Sequence, residues 1–95
     1  TYENMLRNPE KYKDTVLTYT TTISTVSYYE TSAKVTFWIE DGDGKDIYCV
    51  MNDSSVLPQR LMSGDRVTII GKLTGVRENT LGSDYLEIVV SKIEY

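Results

Sequence analysis

The stretch Lys34-Val-Thr-Phe-Trp-Ile-Glu-Asp-Gly-Asp-Gly-Lys-Asp-Ile-Tyr-Cys-Val-Met51 contains two alternating segments joined by a turn. One set of alternate positions is apolar throughout: Val35, Phe37, Ile39, Ile47, Cys49 and Met51. A period of two is typical of strands that bury one face. The intervening Asp41-Gly42-Asp43-Gly44 tolerates the positive φ angles of tight hairpin turns. The stretch therefore predicts a β-hairpin with one buried face and one outer face.

The same period extends to both sides of this hairpin. A first strand runs from Leu17 to Val26, and the shifted phase of Val26 predicts a bulge near Ser24–Thr25. A fourth strand follows Ser63-Gly64-Asp65, and Gly71 within it marks a sharp bend or a close backbone approach. The fifth strand contains a second phase shift at Ile93, which predicts another bulge. Polar loops are expected at residues 27–32 and 77–84.

Helical spacing is confined to two short segments. Tyr2, Met5 and Leu6 lie at i, i+3 and i+4, so residues 1–13 are predicted to form a short helical lid, with Pro9 ending one turn or beginning another. Asn52-Asp53-Ser54-Ser55 supplies a cap for a second short helix over residues 56–62. We expect residues 14–95 to form the body of the same domain.

Five strands with a helix between the third and fourth predict an all-β, five-stranded Greek-key OB-fold barrel. A β-sandwich is the alternative, but seven strands do not fit comfortably in 95 residues. The predicted core follows the apolar alternate positions. It comprises Leu6, Tyr12, Leu17, Tyr19, Ile23, Val35, Phe37, Ile39, Ile47, Cys49, Met51, Leu57, Leu61, Val67, Ile69, Leu73, Leu86, Ile88, Val90 and Ile93.

Two segments resemble the tRNA_anti-like OB-fold domains. Residues 2–13 match the opening pattern of that family, with Asp14 where a glycine is usual, and Gly64-Asp65-Arg66-Val67-Thr68-Ile69-Ile70-Gly71 matches its later "G-D-x-V-x-x-x-G" pattern. Thr21 stands where the family commonly has a glycine. The family occurs in bacterial envelope lipoproteins and secreted proteins. The resemblance therefore implies an OB-fold and a location in the cell envelope or outside the cell.

Composition excludes several classes of function. With 95 residues the chain forms one domain, and its 12 Thr, 9 Val and 7 Ile favour strands. The chain has no His, and it contains no phosphate-binding loop or nucleophile motif, so we expect no enzymatic activity and no cofactor. The single Cys49 is expected to be a buried core residue. No apolar run is long enough to span a membrane. Because the chain begins at Thr1 without an apolar leader, we expect a fragment or a processed form.

The candidate site is the outer face of the second and third predicted strands, where OB-folds bind ligands. It comprises Trp38, Tyr48, Lys34 and Thr36, flanked by Tyr28, Tyr29 and Arg77. Aromatic rings with a few cations suit single-stranded nucleic acid or an oligosaccharide. The alternative is a cross-strand aromatic pair that stabilises the sheet, or a patch covered by another part of the protein.

Charge keeps two hypotheses of function open. Ten Lys and Arg against fourteen Asp and Glu give a net charge of −4, and Glu30, Glu40, Asp46 and Glu78 are expected near the aromatic face. This balance favours a noncatalytic binding or assembly module that contacts a protein partner or its own parent chain. The aromatic residues favour a binder of single-stranded nucleic acid. The carboxylates of residues 41–46 are expected to form a polar turn rather than a calcium site, since the EF-hand spacing is absent.

Overall fold

A computed structural model describes residues 1–29, 31–78 and 82–95 of the chain. Parts of both predicted polar loops, Glu30 and residues 79–81, lie outside the described residues. Within the described ranges, two short helices precede six strands. The helices are α1 (Tyr2–Arg7) and α2 (Pro9–Tyr12), and the strands are β1 (Val16–Thr22), β2 (Thr25–Tyr28), β3 (Val35–Glu40), β4 (Asp46–Met51), β5 (Arg66–Arg77) and β6 (Tyr85–Glu94).

The strands form one sheet in the order β1-β5-β6-β4-β3-β2. Neighbours are antiparallel except β4 and β6, which are parallel. The predicted first strand is divided into β1 and β2, which are the two edges of the sheet, so the closed five-stranded barrel was wrong in its strand count and its closure. The chain passes from β1 to β2 through Ile23 and Ser24. Their N–H groups donate to the carbonyl oxygens of Asp65 (2.9 Å) and Trp38 (3.0 Å). This interruption lies where Val26 predicted a bulge.

The predicted core is largely confirmed. Of its members, Ile23, Val35, Phe37, Ile39, Ile47, Cys49, Met51, Leu61, Val67, Ile69, Leu73, Leu86, Ile88, Val90 and Ile93 are buried. Leu6, Tyr12, Leu17, Tyr19 and Leu57 are partly buried against this cluster. The helix α1 differs in detail, because Met5 rather than Leu6 enters the core. The register inferred from alternation is therefore the register of the folded sheet.

Two backbone features fit the sequence patterns. A Cβ atom on Gly71 would lie 2.5 Å from the carbonyl oxygen of Val89, which confirms the predicted close approach. The ladder between β5 and β6 skips Ser91, and this shift confirms the bulge that the phase of Ile93 predicted. Asp14, where a glycine is usual in the resembling family, has a φ of 66°. Aspartate tolerates this left-handed conformation better than most residues.

The predicted helix over residues 56–62 is wrong. A single 3₁₀ turn (Ser54–Val56) replaces it, and the Asp53 carboxylate caps this turn by accepting from the Ser55 N–H at 3.0 Å. Leu57 is extended, with a φ of −71° and a ψ of 132°. Because Pro58 disfavours the helical conformation in the residue before it, the turn ends here.

The N-terminal segment packs on the sheet. Thr1 caps α1, Met5 is buried in the core, and the Tyr2 hydroxyl donates to the Asp46 carbonyl at 2.9 Å. The Pro9 ring begins α2 where its missing N–H is not needed. The division into residues 1–13 and 14–95 stays a prediction. A search of the described residues for a helix with the length and apolarity of a membrane span found none.

Candidate ligand-binding face

The hairpin of β3 and β4 presents its outer face in the predicted register. Trp38 lies directly opposite Tyr48, while the neighbouring pairs Phe37–Cys49 and Ile39–Ile47 point into the core. The connecting turn is held by Asp41, whose Oδ1 accepts from the N–H groups of Asp43 and Lys45 at 2.9 Å each. Gly44 provides the positive φ of 78°. The Asp41 carboxylate thus stabilises the turn that sets the pairing of Trp38 with Tyr48.

Three aromatic rings meet on this outer face. The Trp38 ring centroid lies 5.0 Å from that of Tyr48 and 4.8 Å from that of Tyr85, and the Tyr48 and Tyr85 centroids are 6.2 Å apart. Tyr85 makes edge-to-face contacts with Trp38 (64°) and Tyr48 (70°), which is a favourable arrangement, and the Trp38 and Tyr48 rings are tilted at 51°. All three side chains are half-buried. We call Trp38, Tyr48 and Tyr85 the aromatic cluster.

Arg77 connects the aromatic cluster to a carboxylate. Its guanidinium carbon lies 5.5 Å from the centroid of the Tyr48 ring, a cation–π distance. Its Nε lies 3.2 Å from Oε1 of Glu87, the residue beside Tyr48 on β6. The charge of Arg77 is therefore partly neutralised within the face.

A second aromatic residue pairs with a cation at the other end of β3. The ladder of β2 and β3 continues past its last residues, since the Tyr29 N–H donates to the Lys34 carbonyl at 3.2 Å. The Lys34 ammonium lies 5.1 Å from the centroid of the Tyr29 ring, which is 46% exposed. Alternation along β3 places Lys34 on the same face as Trp38. We call these two residues the Tyr29–Lys34 pair.

Two predicted site residues are placed differently. Tyr28 lies opposite Val35 on the core-facing side, where its hydroxyl accepts from the Leu61 N–H at 2.7 Å and Arg60 covers its ring at 4.0 Å. Thr36 is on the outer face but only 4% exposed. The structure thus brings Trp38, Tyr48 and Arg77 together, sets Lys34 and Tyr29 further along, and leaves Tyr28 on the opposite side. The binding role of all seven residues stays a prediction.

A groove of about 740 Å³ borders the aromatic cluster. Tyr2 and Leu6 of α1 form one side, and Trp38 and Tyr85 form another. Its charged residues, within the described part of the chain, are four acidic ones and one basic one: Glu3, Asp46, Glu78, Asp84 and Lys45. Burial, with a smaller contribution from nearby carboxylates such as Asp41 and Asp46, raises the pKa of Tyr2 above its ordinary value. We call this feature the acidic groove.

The side chains of this face could form several kinds of contact with a ligand. Aromatic rings and a guanidinium offer stacking and polar contacts to a flat or ring-shaped ligand. Among the described residues, no group of three or more His, Cys, Asp or Glu is arranged to hold a metal ion. Cys49 is fully buried, and this burial raises the pKa of its thiol.

Sequence reasoning missed Tyr85. The residue follows a polar loop, and its contact with Trp38 depends on the parallel pairing of β4 with β6. A local signal did exist, because Tyr85, Glu87 and Val89 alternate with the buried Leu86, Ile88 and Val90. That alternation assigns Tyr85 to the outer face, although it does not say which strand lies beside it.

Comparison with known proteins shows the fold. The structure is similar to the mitochondrial single-stranded DNA-binding protein of S. cerevisiae, with a TM-score of 0.59 and 16% identity over 85% of this chain and 91% of that chain. It is also similar to the SSB domain of a protein from Synechococcus sp., with a TM-score of 0.49 and 17% identity over 87% and 94% of the two chains. No family model matches the chain, and no curated protein is significantly similar to it in sequence. The first likeness shows an OB-fold.

Proposed function

We propose that this OB-fold binds single-stranded nucleic acid, without catalysis, across the outer face of β3 and β4. The observation that supports the proposal is the aromatic cluster, which offers three rings at the place where OB-folds receive their ligands. Each stacked base contributes about 1–3 kcal/mol in such sites. The similar yeast protein binds single-stranded DNA, which adds support from the same fold.

The net charge of −4 limits the electrostatic contribution to this binding. Affinity for nucleic acid normally grows with the number of neutralised phosphates. Here the cations on the face are few, and Arg77 already pairs with Glu87. We therefore expect stacking to provide most of the affinity, with a shallow dependence on salt.

The test is an amide-resolved NMR titration with a mixed-sequence oligonucleotide at low salt. Shifts should concentrate at residues 34–40, Tyr48, Arg77 and Tyr85, and Trp38→Ala should weaken binding at least about tenfold, the loss of roughly one stacked base. Tyr95→Ala is the matched control, since it removes an exposed aromatic ring whose hydroxyl bonds to Gln59 instead. Unchanged affinity in Trp38→Ala would overturn the proposal.

A second candidate is a protein partner, or another part of the parent chain, on the same face. The acidic groove supports it, because four acidic residues beside three aromatic rings suit a basic segment better than a phosphate. If no amide moves in the nucleic-acid titration, this candidate leads. An oligosaccharide would also stack on the rings, and a titration with neutral oligosaccharides at the same concentration separates it. The envelope location remains an expectation from the family resemblance.

A further inference from the structure

The aromatic cluster has different electrostatic surroundings at its two ends. The acidic groove lies beyond Trp38 and Tyr85 on one side. On the other side, the outer face of β3 leads to the Tyr29–Lys34 pair. These two ends offer a phosphate chain that crosses the aromatic cluster opposite electrostatic surroundings.

We infer that the bound strand runs from the aromatic cluster along the outer face of β3 to the Tyr29–Lys34 pair and does not enter the acidic groove. This inference rests on the proposed function. Carboxylates repel a phosphodiester at short range, and among the described lining residues Asp46 and Glu78 face one cation, Lys45. Lys34 instead places a cation beside an exposed ring, the combination that nucleic-acid grooves use.

The surface between the two ends carries small side chains and is closely packed. Three cross-strand pairs occupy it in order: Tyr29 beside Lys34, Ser27 opposite Thr36, and Thr25 opposite Trp38. Ser27 and Thr36 have small side chains, and Thr36, at 4% exposure, is covered by its neighbours on this face. A strand on this path would therefore contact the side chains that surround Thr36 rather than Thr36 itself.

The register sets the length of this path. Lys34 and Trp38 are four residues apart, so the two aromatic positions are separated by about 13 Å at roughly 3.3 Å per residue. A strand with the duplex spacing of about 3.4 Å per phosphate covers that distance with about four nucleotides. A dinucleotide therefore reaches the aromatic cluster alone, whereas an octanucleotide reaches both positions.

The experiment measures fluorescence of the single Trp38 on titration with oligothymidylates of two, four and eight nucleotides, at several salt concentrations. Tyr29→Ala should weaken the octanucleotide about five-fold or more and leave the dinucleotide unchanged. Lys34→Gln should make the salt slope for the octanucleotide shallower by about 0.7, the value for one phosphate contact to a single strand.

Lys45→Gln is the matched control, because it removes the same charge from the acidic groove and leaves Lys34 in place. It should leave the salt slope unchanged. A shallower slope in Lys45→Gln with none in Lys34→Gln would show that the strand enters the groove, and would overturn the path while the proposed function stands. Absence of binding by the unmodified chain would overturn the proposed function itself.

Discussion

Arg77 has two partners with opposite consequences for a phosphate. Its cation–π contact with Tyr48 holds the guanidinium over the face, whereas its ion pair with Glu87 neutralises it there. The Glu87 side chain is 19% exposed and Arg77 is 52% exposed, so the pair is partly shielded from solvent. The carboxylate thus limits how strongly this residue attracts a nucleic acid.

Glu87→Gln should therefore strengthen binding of an oligonucleotide several-fold at low salt. The freed guanidinium gains one phosphate contact, which steepens the salt slope by about 0.7. The control is Glu94→Gln, which removes the same charge from β6 but from an ion pair with Lys92 (3.4 Å). Titrations at several salt concentrations check the prediction, and equal slopes in the two variants would contradict it.

Tyr28 has a structural contact that its place in the sequence did not indicate. Its hydroxyl accepts from the Leu61 N–H at 2.7 Å and lies 3.2 Å from the Leu61 carbonyl oxygen. Tyr28→Phe keeps the ring under Arg60 but leaves these backbone groups unpaired, so the free energy of unfolding should fall by about 1–3 kcal/mol.

Urea denaturation measures this loss, and Tyr29→Phe on the exposed neighbouring ring should change stability by less than about 0.5 kcal/mol. Affinity for an oligonucleotide should be unchanged in Tyr28→Phe. Weaker binding at equal stability would show that the Tyr28 hydroxyl contributes to ligand binding.

Most of the strands could be predicted because their apolar residues alternate with polar or more exposed ones. Val35, Phe37 and Ile39 define their strand by alternation alone, and the same argument assigned the bulge near Ile93. Several features escaped this reasoning, including the division of the predicted first strand into β1 and β2. The contact of Tyr85 with Trp38 depends on which strands pair, and the loss of the helix after Ser54 depends on Pro58 restricting its neighbour.

At Gly71, β5 lies so close to β6 that the backbone leaves no space for a side chain. A Cβ there would lie 2.5 Å from the Val89 carbonyl oxygen and 3.1 Å from the Val90 Cα, both backbone atoms. Gly71→Ala should therefore lower the free energy of unfolding by at least about 1–3 kcal/mol, as overpacking does.

The matched control is Gly42→Ala in the hairpin turn, where a Cβ would meet nothing within 4 Å. It should be nearly neutral in the same denaturation experiment. If Gly71→Ala were equally neutral, the two strands would have to separate more easily than their ladder suggests.

The whole molecule should lose stability at alkaline pH. Burial raises the pKa of Tyr19 above its ordinary value of 10.0, and the Asp41 carboxylate raises it further; burial also raises the pKa of the Cys49 thiol. Because the folded pKa exceeds the unfolded one, each group contributes its full stabilisation only below its ordinary pKa, 9.0 for the thiol and 10.0 for the phenol. The contribution then falls as the pH rises through the folded value.

Thermal unfolding followed by circular dichroism between pH 8 and pH 11 checks this expectation. The melting temperature should fall over that range, and the fall should be smaller in Tyr19→Phe, which cannot ionise. The same decline in both proteins would mean that Tyr19 contributes nothing to it.

The burial of the single cysteine has a practical consequence. Cys49 is fully enclosed in the core, and its raised pKa keeps it in the unreactive thiol form. A second cysteine introduced at an exposed position, such as Val16 on β1, would therefore react selectively with a maleimide dye. The folded chain can thus be labelled with one fluorophore at a chosen position without replacing its native cysteine.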